Sequence, residues 1–182
     1  AIFKDLDNHR QVVVAAKSVI LATGGIGRLH IQGFPTSNHY GATGDGLCLS
    51  YRMGAKLDHV DTFQYHPSGA VYPEQLIGAL VTEGIRSEGG HLVNAKSERI
   101  ENELDTRDVV SSSIIRECEE GRGIRTMSGR VGVWLDTPLL DAEHGPGTVE
   151  KHFPAMMMQF ERFGIDISKD PVLIYPTLHY QN

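Results

Sequence analysis

Glycines that stop regular structure constrain this chain more than any other feature. Twenty glycines lie in 182 residues, and several stand where short apolar runs end. Gln11 to Ala15 and Ser18 to Ala22 are β-branched runs, read as buried strands, the second running into Thr23-Gly24-Gly25. Leu47 to Met53 reads as a helix closed by Gly54. Asp105 or Thr106 caps a helix with apolar positions Val109, Val110, Ile114 and Cys118, stopped by Gly121. Phe153, Met156, Met157, Phe160 and Phe163 share one helical face between Pro154 and Gly164, and core packing accounts for them better than a ligand groove. Leu76, Ile77, Leu80 and Val81 have helical spacing, whereas His91-Leu92-Val93 and Val131 to Leu135 read as strands. The expected class is α/β at the start and α+β from about Asp58.

Composition removes several functions. The formal net charge is −6 and the arginines are interleaved with acids, so a nucleic-acid partner is disfavoured, because phosphate binding needs a basic face. No apolar run approaches the roughly 20 residues that span a bilayer, and Ala1 to Arg10 lacks the apolar core of a signal peptide. Cys48 and Cys118 show no metal-ligand spacing; they are expected as buried small side chains in a reducing compartment, with no metal site. The expected location is the cytoplasm, or its face of a membrane as a peripheral protein. The chain begins at Ala1-Ile2-Phe3 without methionine and stops directly after an apolar run, so an internal piece of a longer protein is expected.

Four polar clusters call for more than packing. Gly41-Ala42-Thr43-Gly44-Asp45-Gly46 opens a helix, where free backbone N–H groups favour an anion, although a plain turn explains it as well. The glycine spacing is incomplete as a dinucleotide fingerprint, since Gly25 and Gly27 are followed by His30 at the third position. Gln64-Tyr65-His66-Pro67 puts a histidine in an extended or turn segment. Thr82-Glu83-Gly84-Ile85-Arg86-Ser87-Glu88-Gly89-Gly90 crowds two acids and an arginine beside glycines. Glu83 and Arg86 would share a face if helical, where a surface ion pair is the plainest outcome. Arg107 sits in the first turn of its helix, where the macrodipole disfavours a cation by about 0.3–1 kcal/mol. Asp105 and Asp108 would offset that cost, yet an arginine held there is also placed to meet an anionic ligand.

Taken in order, Ile20-Leu21-Ala22-Thr23-Gly24-Gly25, Thr43-Gly44-Asp45-Gly46, Gln64-Tyr65-His66-Pro67-Ser68-Gly69, Thr82 to Gly90, Asn102-Glu103-Leu104-Asp105-Thr106-Arg107-Asp108, Gly164-Ile165-Asp166-Ile167 and His179-Tyr180 resemble the flavoprotein subunit family of succinate dehydrogenase and fumarate reductase, which includes L-aspartate oxidase. The resemblance implies an FAD-binding part at 1–58, a capping domain that closes over substrate at 59–175, and a return to the flavin domain at 176–182. It implies FAD as cofactor, a succinate or fumarate dicarboxylate as substrate, and, as partner, an iron–sulfur electron-transfer subunit. It also implies that the dinucleotide fingerprint precedes residue 1 and that a second substrate-binding arginine follows residue 182.

Residue by residue, the resemblance makes Arg107 the proton donor or acceptor, with Glu83 and Arg86 relaying protons to it. His66, Thr82, Glu83 and His179 match substrate-binding positions; Gly24, Gly25, Asp45 and Tyr180 match cofactor-binding ones. The departures are Ile100 and Glu101 after Arg99, where an aromatic residue is common, and Ser87 in place of a common glycine. L-aspartate oxidase or a related flavin oxidase is the alternative activity. A catalytically silent binding module is another, and the isolated chain is expected to be inactive.

Overall fold

The computed structural model describes residues 1–29, 33–100 and 102–181; His30 and Glu101, noted above, lie outside the described residues. Strands β1 (Ile2–Lys4) and β2 (Gln11–Val13) form an exposed antiparallel pair. Helix α1 (Asp45–Arg52) follows, with Gly44 as its left-handed N-cap and Gly46 as its buried residue. Strand β3 (Phe63–Ala70), a 3-10 turn (Glu74–Leu76), α2 (Gly84–Ser87), β4 (His91–Val93), β5 (Arg99–Ile100) and α3 (Arg107–Glu119) come next. The chain continues through β6 (Ile124–Arg125), β7 (Val131–Asp136), α4 (Pro138–His144), α5 (Thr148–His152), α6 (Pro154–Glu161) and β8 (Val172–Gln181).

One antiparallel sheet organises everything after about residue 60. Its strand order is β3-β8-β7-β4-β5, with β6 paired to β7. Leu92, Val133, Leu135 and Ile174 from the strands pack with Val110 and Ile114 of α3 and Phe160 of α6, all buried. Burying each such side chain contributes about 1.5–3 kcal/mol. A sheet with helices gathered against it is the mixed arrangement expected for the later part of the chain. Among the described residues no helix is long and apolar enough to cross a membrane.

Two bulges shape the β3–β8 pair. His66 pairs with Thr177 and Gly69 with Tyr175, so Pro67 and Ser68 oppose only Pro176. Gln64 pairs with Tyr180 and Tyr65 with Leu178, which leaves His179 as the extra residue on β8. A proline cannot donate to the ladder, and a bulge relieves that mismatch while turning neighbouring side chains to a new direction. Both histidines singled out from the sequence therefore flank or occupy a bulge.

Several expectations are corrected. Ser18 to Ala22 forms no strand, and Val19, Ile20 and Leu21 are exposed; β-branched residues favour extended backbone, but no described strand lies beside this run to pair with it. The strand at Gln11–Val13 is shorter than read, and exposed rather than buried. Residues 76–81 do not form a helix: Gly78 turns the chain at φ +83°, and Ala70 and Ser68 of β3 bond to Ala79 and Val81 instead. The open edge of β3 outcompetes the helical spacing. Cys48 is exposed, because α1 buries only Gly46, while Cys118 is half-buried and its thiol is pushed up to about 11 by burial and the nearby Glu117 and Glu119. Val109 and Phe163 are also exposed in part, at 40% and 39%.

Candidate active site

Glu83 is the centre of the polar cluster. It is the N-cap of α2, a helix of one turn, and this puts its carboxylate on the same side as Arg86. Arg86 donates from Nη2 to Glu83 Oε1 at 2.9 Å. Arg107, the first residue of α3, donates from Nε to Oε1 at 3.1 Å and from Nη2 to Oε2 at 2.8 Å. One carboxylate thus joins two guanidiniums, one of them by the two-pronged geometry that makes such pairs strong.

The two arginines differ in surroundings. Arg86 is buried, at 3% exposure. Its Nε donates to Ser68 Oγ at 3.1 Å and its Nη1 to the Glu103 carbonyl. Arg107 keeps more access to solvent and donates from Nη1 to Gln64 Oε1 at 2.8 Å. Burial lowers the pKa of Arg86, with Glu83 opposing the shift, whereas the hydrogen bonds to Glu83 raise that of Arg107. Those same bonds from Arg107 hold the Glu83 carboxyl down to about 2. A surface ion pair is therefore the wrong description of Glu83 and Arg86.

His66 is buried and its pKa falls to about 4, chiefly through burial, with Glu83 pulling it up and Arg107, His179 and Arg86 pushing it down. The Ser68 N–H donates to His66 Nδ1 at 3.2 Å. With Nδ1 accepting, the neutral ring carries its proton on Nε2 and can donate from there. The ring centroid of His179 is 5.4 Å away, and Tyr180 lies 4.1 Å beyond His179. Burial lowers the His179 pKa too, helped by Arg107. The Thr82 hydroxyl, next to Glu83, accepts from the Gly84 N–H at 3.2 Å.

The structure thus gathers Glu83, Arg86, Arg107, His66 and His179, with Thr82 and Tyr180 beside them. Gly24, Gly25 and Asp45 form a second group at the start of α1. The Gly44 N–H donates to the Gly25 carbonyl at 2.9 Å, and Asp45 accepts from the Thr43 hydroxyl at 2.8 Å. A Cβ on Gly46 would stand 1.8 Å from Thr23 Oγ1, so only glycine lets the 23–25 loop seat on this helix. A Cβ on Gly24 would meet nothing within 4 Å, so the backbone there is open to close approach. Gln64, Ser68 and Glu103 were not assigned from the sequence; the alternate spacing of Gln64, His66 and Ser68 along one strand is the signal that could have found the first two.

The pattern of an FAD binding domain matches residues 1–182. The chain is 40% identical to a fumarate reductase (CoM/CoB) subunit of Methanothermobacter marburgensis, over 95% of this chain and 31% of that one. It is 36% identical to the succinate dehydrogenase flavoprotein subunit of Coxiella burnetii, over 97% of this chain and 29% of that one. The solved structure of Mycobacterium smegmatis Sdh1 superposes with a TM-score of 0.70 at 37% identity, covering 94% of this chain and 28% of that one. The chain spans about a third of the length of the curated relatives it matches. The open space beside Gly24 and the glycine-opened start of α1 fit the phosphate-bearing cofactor of such a family. The chain belongs to the FAD-binding-domain family, as a relative of the succinate dehydrogenase and fumarate reductase flavoproteins, and FAD is its cofactor.

Proposed function

We propose that this chain carries the proton-handling side of an enzyme that interconverts succinate and fumarate. The observation that carries the reading is the shared carboxylate of Glu83, paired at once with the buried Arg86 and the more open Arg107. Residues 1–58 belong to the flavin-binding part, residues 59–175 form the capping domain, and 176–182 return toward the flavin. Gly24, Gly25, Asp45 and Tyr180 contact FAD, which supplies the hydride chemistry when bound.

His66 donates from Nε2 to one substrate carboxylate, and Thr82 and His179 bind beside it. Glu83 fixes the local charge so that a dicarboxylate meets a net positive cluster. In the fumarate-reducing direction Arg107 gives a proton to the substrate carbon, and in reverse it takes one. An arginine acts as an acid only if its proton is replaced quickly. The opposite shifts of the two guanidiniums favour that replacement: Arg86, made more acidic by burial, passes a proton to Glu83, and Glu83 passes one to Arg107. The electron partner is an iron–sulfur subunit, and the assembled protein sits at the cytoplasmic face of a membrane.

The test is an assay of the full-length flavoprotein with succinate, fumarate and L-aspartate. Turnover of the first two supports the reading. Turnover of aspartate alone would make the protein an aspartate oxidase, and FAD binding without turnover of any would make it a binding module.

A further inference from the structure

His179 is the extra residue of the bulge on β8: Leu178 pairs with Tyr65 and Tyr180 with Gln64, so His179 has no register partner on β3. A bulge turns its side chains to a new direction, and other contacts must hold that direction. Strand β8 lies between β3 and β7, and β7 pairs with it as far as Ile174. Farther along, residues 35–38 run beside β8 instead. The Leu178 N–H donates to the Pro35 carbonyl at 2.9 Å, and Thr36 makes a parallel bridge with Leu178. The Thr177 hydroxyl donates to the same Pro35 carbonyl at 3.1 Å.

Asn38 ends this strap. Its Nδ2 donates to Thr36 Oγ1 at 2.9 Å, to the Leu178 carbonyl at 3.3 Å and to the His179 carbonyl at 3.4 Å. Two carbonyls can be met only by a donor, so these contacts fix which end of the amide faces the bulge. Thr36 Oγ1 also accepts from the Asn38 N–H at 3.0 Å, which seats the side chain. Arg28 anchors the strap in turn. Its Nη1 donates to the Thr36 and Asn38 carbonyls at 3.5 and 3.4 Å, its N–H donates to the Ala42 carbonyl at 2.9 Å, and its guanidinium stands 4.0 Å from the centre of the Tyr40 ring.

We propose that Asn38 is a positioning residue for substrate binding: by holding the Leu178 and His179 carbonyls it fixes the bulge, and so sets the His179 ring beside His66. The inference rests on the reading of His179 as a substrate-binding residue. The two rings meet edge-on, with centroids 5.4 Å apart. A hydrogen bond weakens steeply once its angle departs from linear. A bulge that turns therefore moves the His179 N–H off a carboxylate even when the ring stays nearby. Asn38 acts on the substrate only through this backbone, and its amide takes no part in proton or hydride transfer.

The test uses the full-length holoenzyme and the variants Asn38→Asp, His179→Ala and the two combined. Asn38→Asp keeps the shape but turns carboxylate oxygens toward two carbonyls, so the donor is lost. It is expected to raise the KM for fumarate about tenfold, the loss set by one misaligned hydrogen bond to a charged group. The kcat should move less than KM, and FAD content should stay as in the parent. In the His179→Ala background the same change should add less than about twofold, because the residue it acts through is gone. A parental KM in Asn38→Asp would overturn the proposal. So would a further tenfold rise in the His179→Ala background, or a loss of flavin with parental KM in the loaded fraction, since either marks Asn38 as a general support. If Asn38→Asp does not fold, Thr36→Val decides, because it removes the acceptor that seats the amide: a smaller rise in KM supports the proposal and a parental KM overturns it. A parental KM in His179→Ala alone would instead remove His179 from the substrate, a result distinguishable from failure of Asn38.

Discussion

The stretch before residue 59 and the sheet that follows it use similar apolar runs to opposite effect. Val131-Gly132-Val133-Trp134-Leu135 becomes β7 and buries Val133 and Leu135 between β8 and β4. Ser18-Val19-Ile20-Leu21-Ala22 is just as apolar, yet it forms no strand and Ile20 is 92% exposed. Intrinsic preference is the same in kind; neighbouring strands make the difference, because each ladder bond needs a partner. The chemistry divides along the same line. Gly24, Gly25 and Asp45 lie before residue 59, whereas Glu83, Arg86 and Arg107 lie in the packed part.

The largest expected effect breaks the two regions apart by function. Arg107→Ala in the full-length flavoprotein removes the proposed donor, and fumarate reduction should fall by at least about 100- to 10,000-fold. FAD content, read from the flavin absorbance of the purified protein, should not change, since Gly24, Gly25 and Asp45 are untouched. Near-parental turnover would remove Arg107 from its role, and loss of flavin would show that the two groups depend on each other.

Next in size is a cavity in the sheet's core. Phe160 is 1% exposed and packs into the main apolar cluster. Phe160→Ala should destabilise the protein by about 3–5 kcal/mol, read as a lower urea midpoint at constant slope. A cost under about 1 kcal/mol would mean that α6 is not held by this core.

What could be read from the sequence was mostly local. Gly54, Gly121 and Gly164 do end helices, each with a positive φ, because a helix stop is written in a few adjacent residues. The pairing of Glu83 with Arg86 followed from their three-residue spacing. The bulges at Pro176 and His179 did not, because register is set by two strands more than a hundred residues apart. The same holds for Ser68, which holds Arg86 through its hydroxyl and His66 through its N–H. Its value depends on which residues the bulge brings opposite it. The helix read at 76–81 failed for a related reason, since a free strand edge lay beside it.

A third expected effect is set by pH and belongs to the packed region. His66 has a folded pKa of about 4, against about 6.5 for an unfolded histidine. The folded state therefore binds fewer protons between these values. The contribution is fully present above about pH 6.5 and is lost as pH falls toward 4, at about 1.4 kcal/mol per pH unit at most. Glu83, held down to about 2, adds a loss of the same sign below the ordinary glutamate range. His66→Gln should flatten the upper part of this slope while leaving the lower part. An unchanged slope in urea titrations between pH 6.5 and 4 would mean that His66 is not buried as a neutral ring.

The smallest expected effect returns to the unpaired run. Ile20→Ser in this chain removes a large apolar side chain that has 92% of its surface exposed, so little burial is lost. The change in stability should stay within about 0.5 kcal/mol, the range for surface sites away from special features. The same substitution in the full-length flavoprotein is a sharper measurement. There the run has the rest of a flavin domain to pack against, if residues 1–58 belong to one, and the cost should rise to the few kcal/mol typical of a buried isoleucine. Amide exchange gives the same contrast without mutation: residues 18–22 should exchange quickly in the isolated chain and slowly in the longer protein, while Val133 and Leu135 are protected in both. Equal costs and equal exchange in the two proteins would show that the run is a surface loop in either setting, and the contrast between the two regions would then reflect the sequence itself rather than the partners available to it.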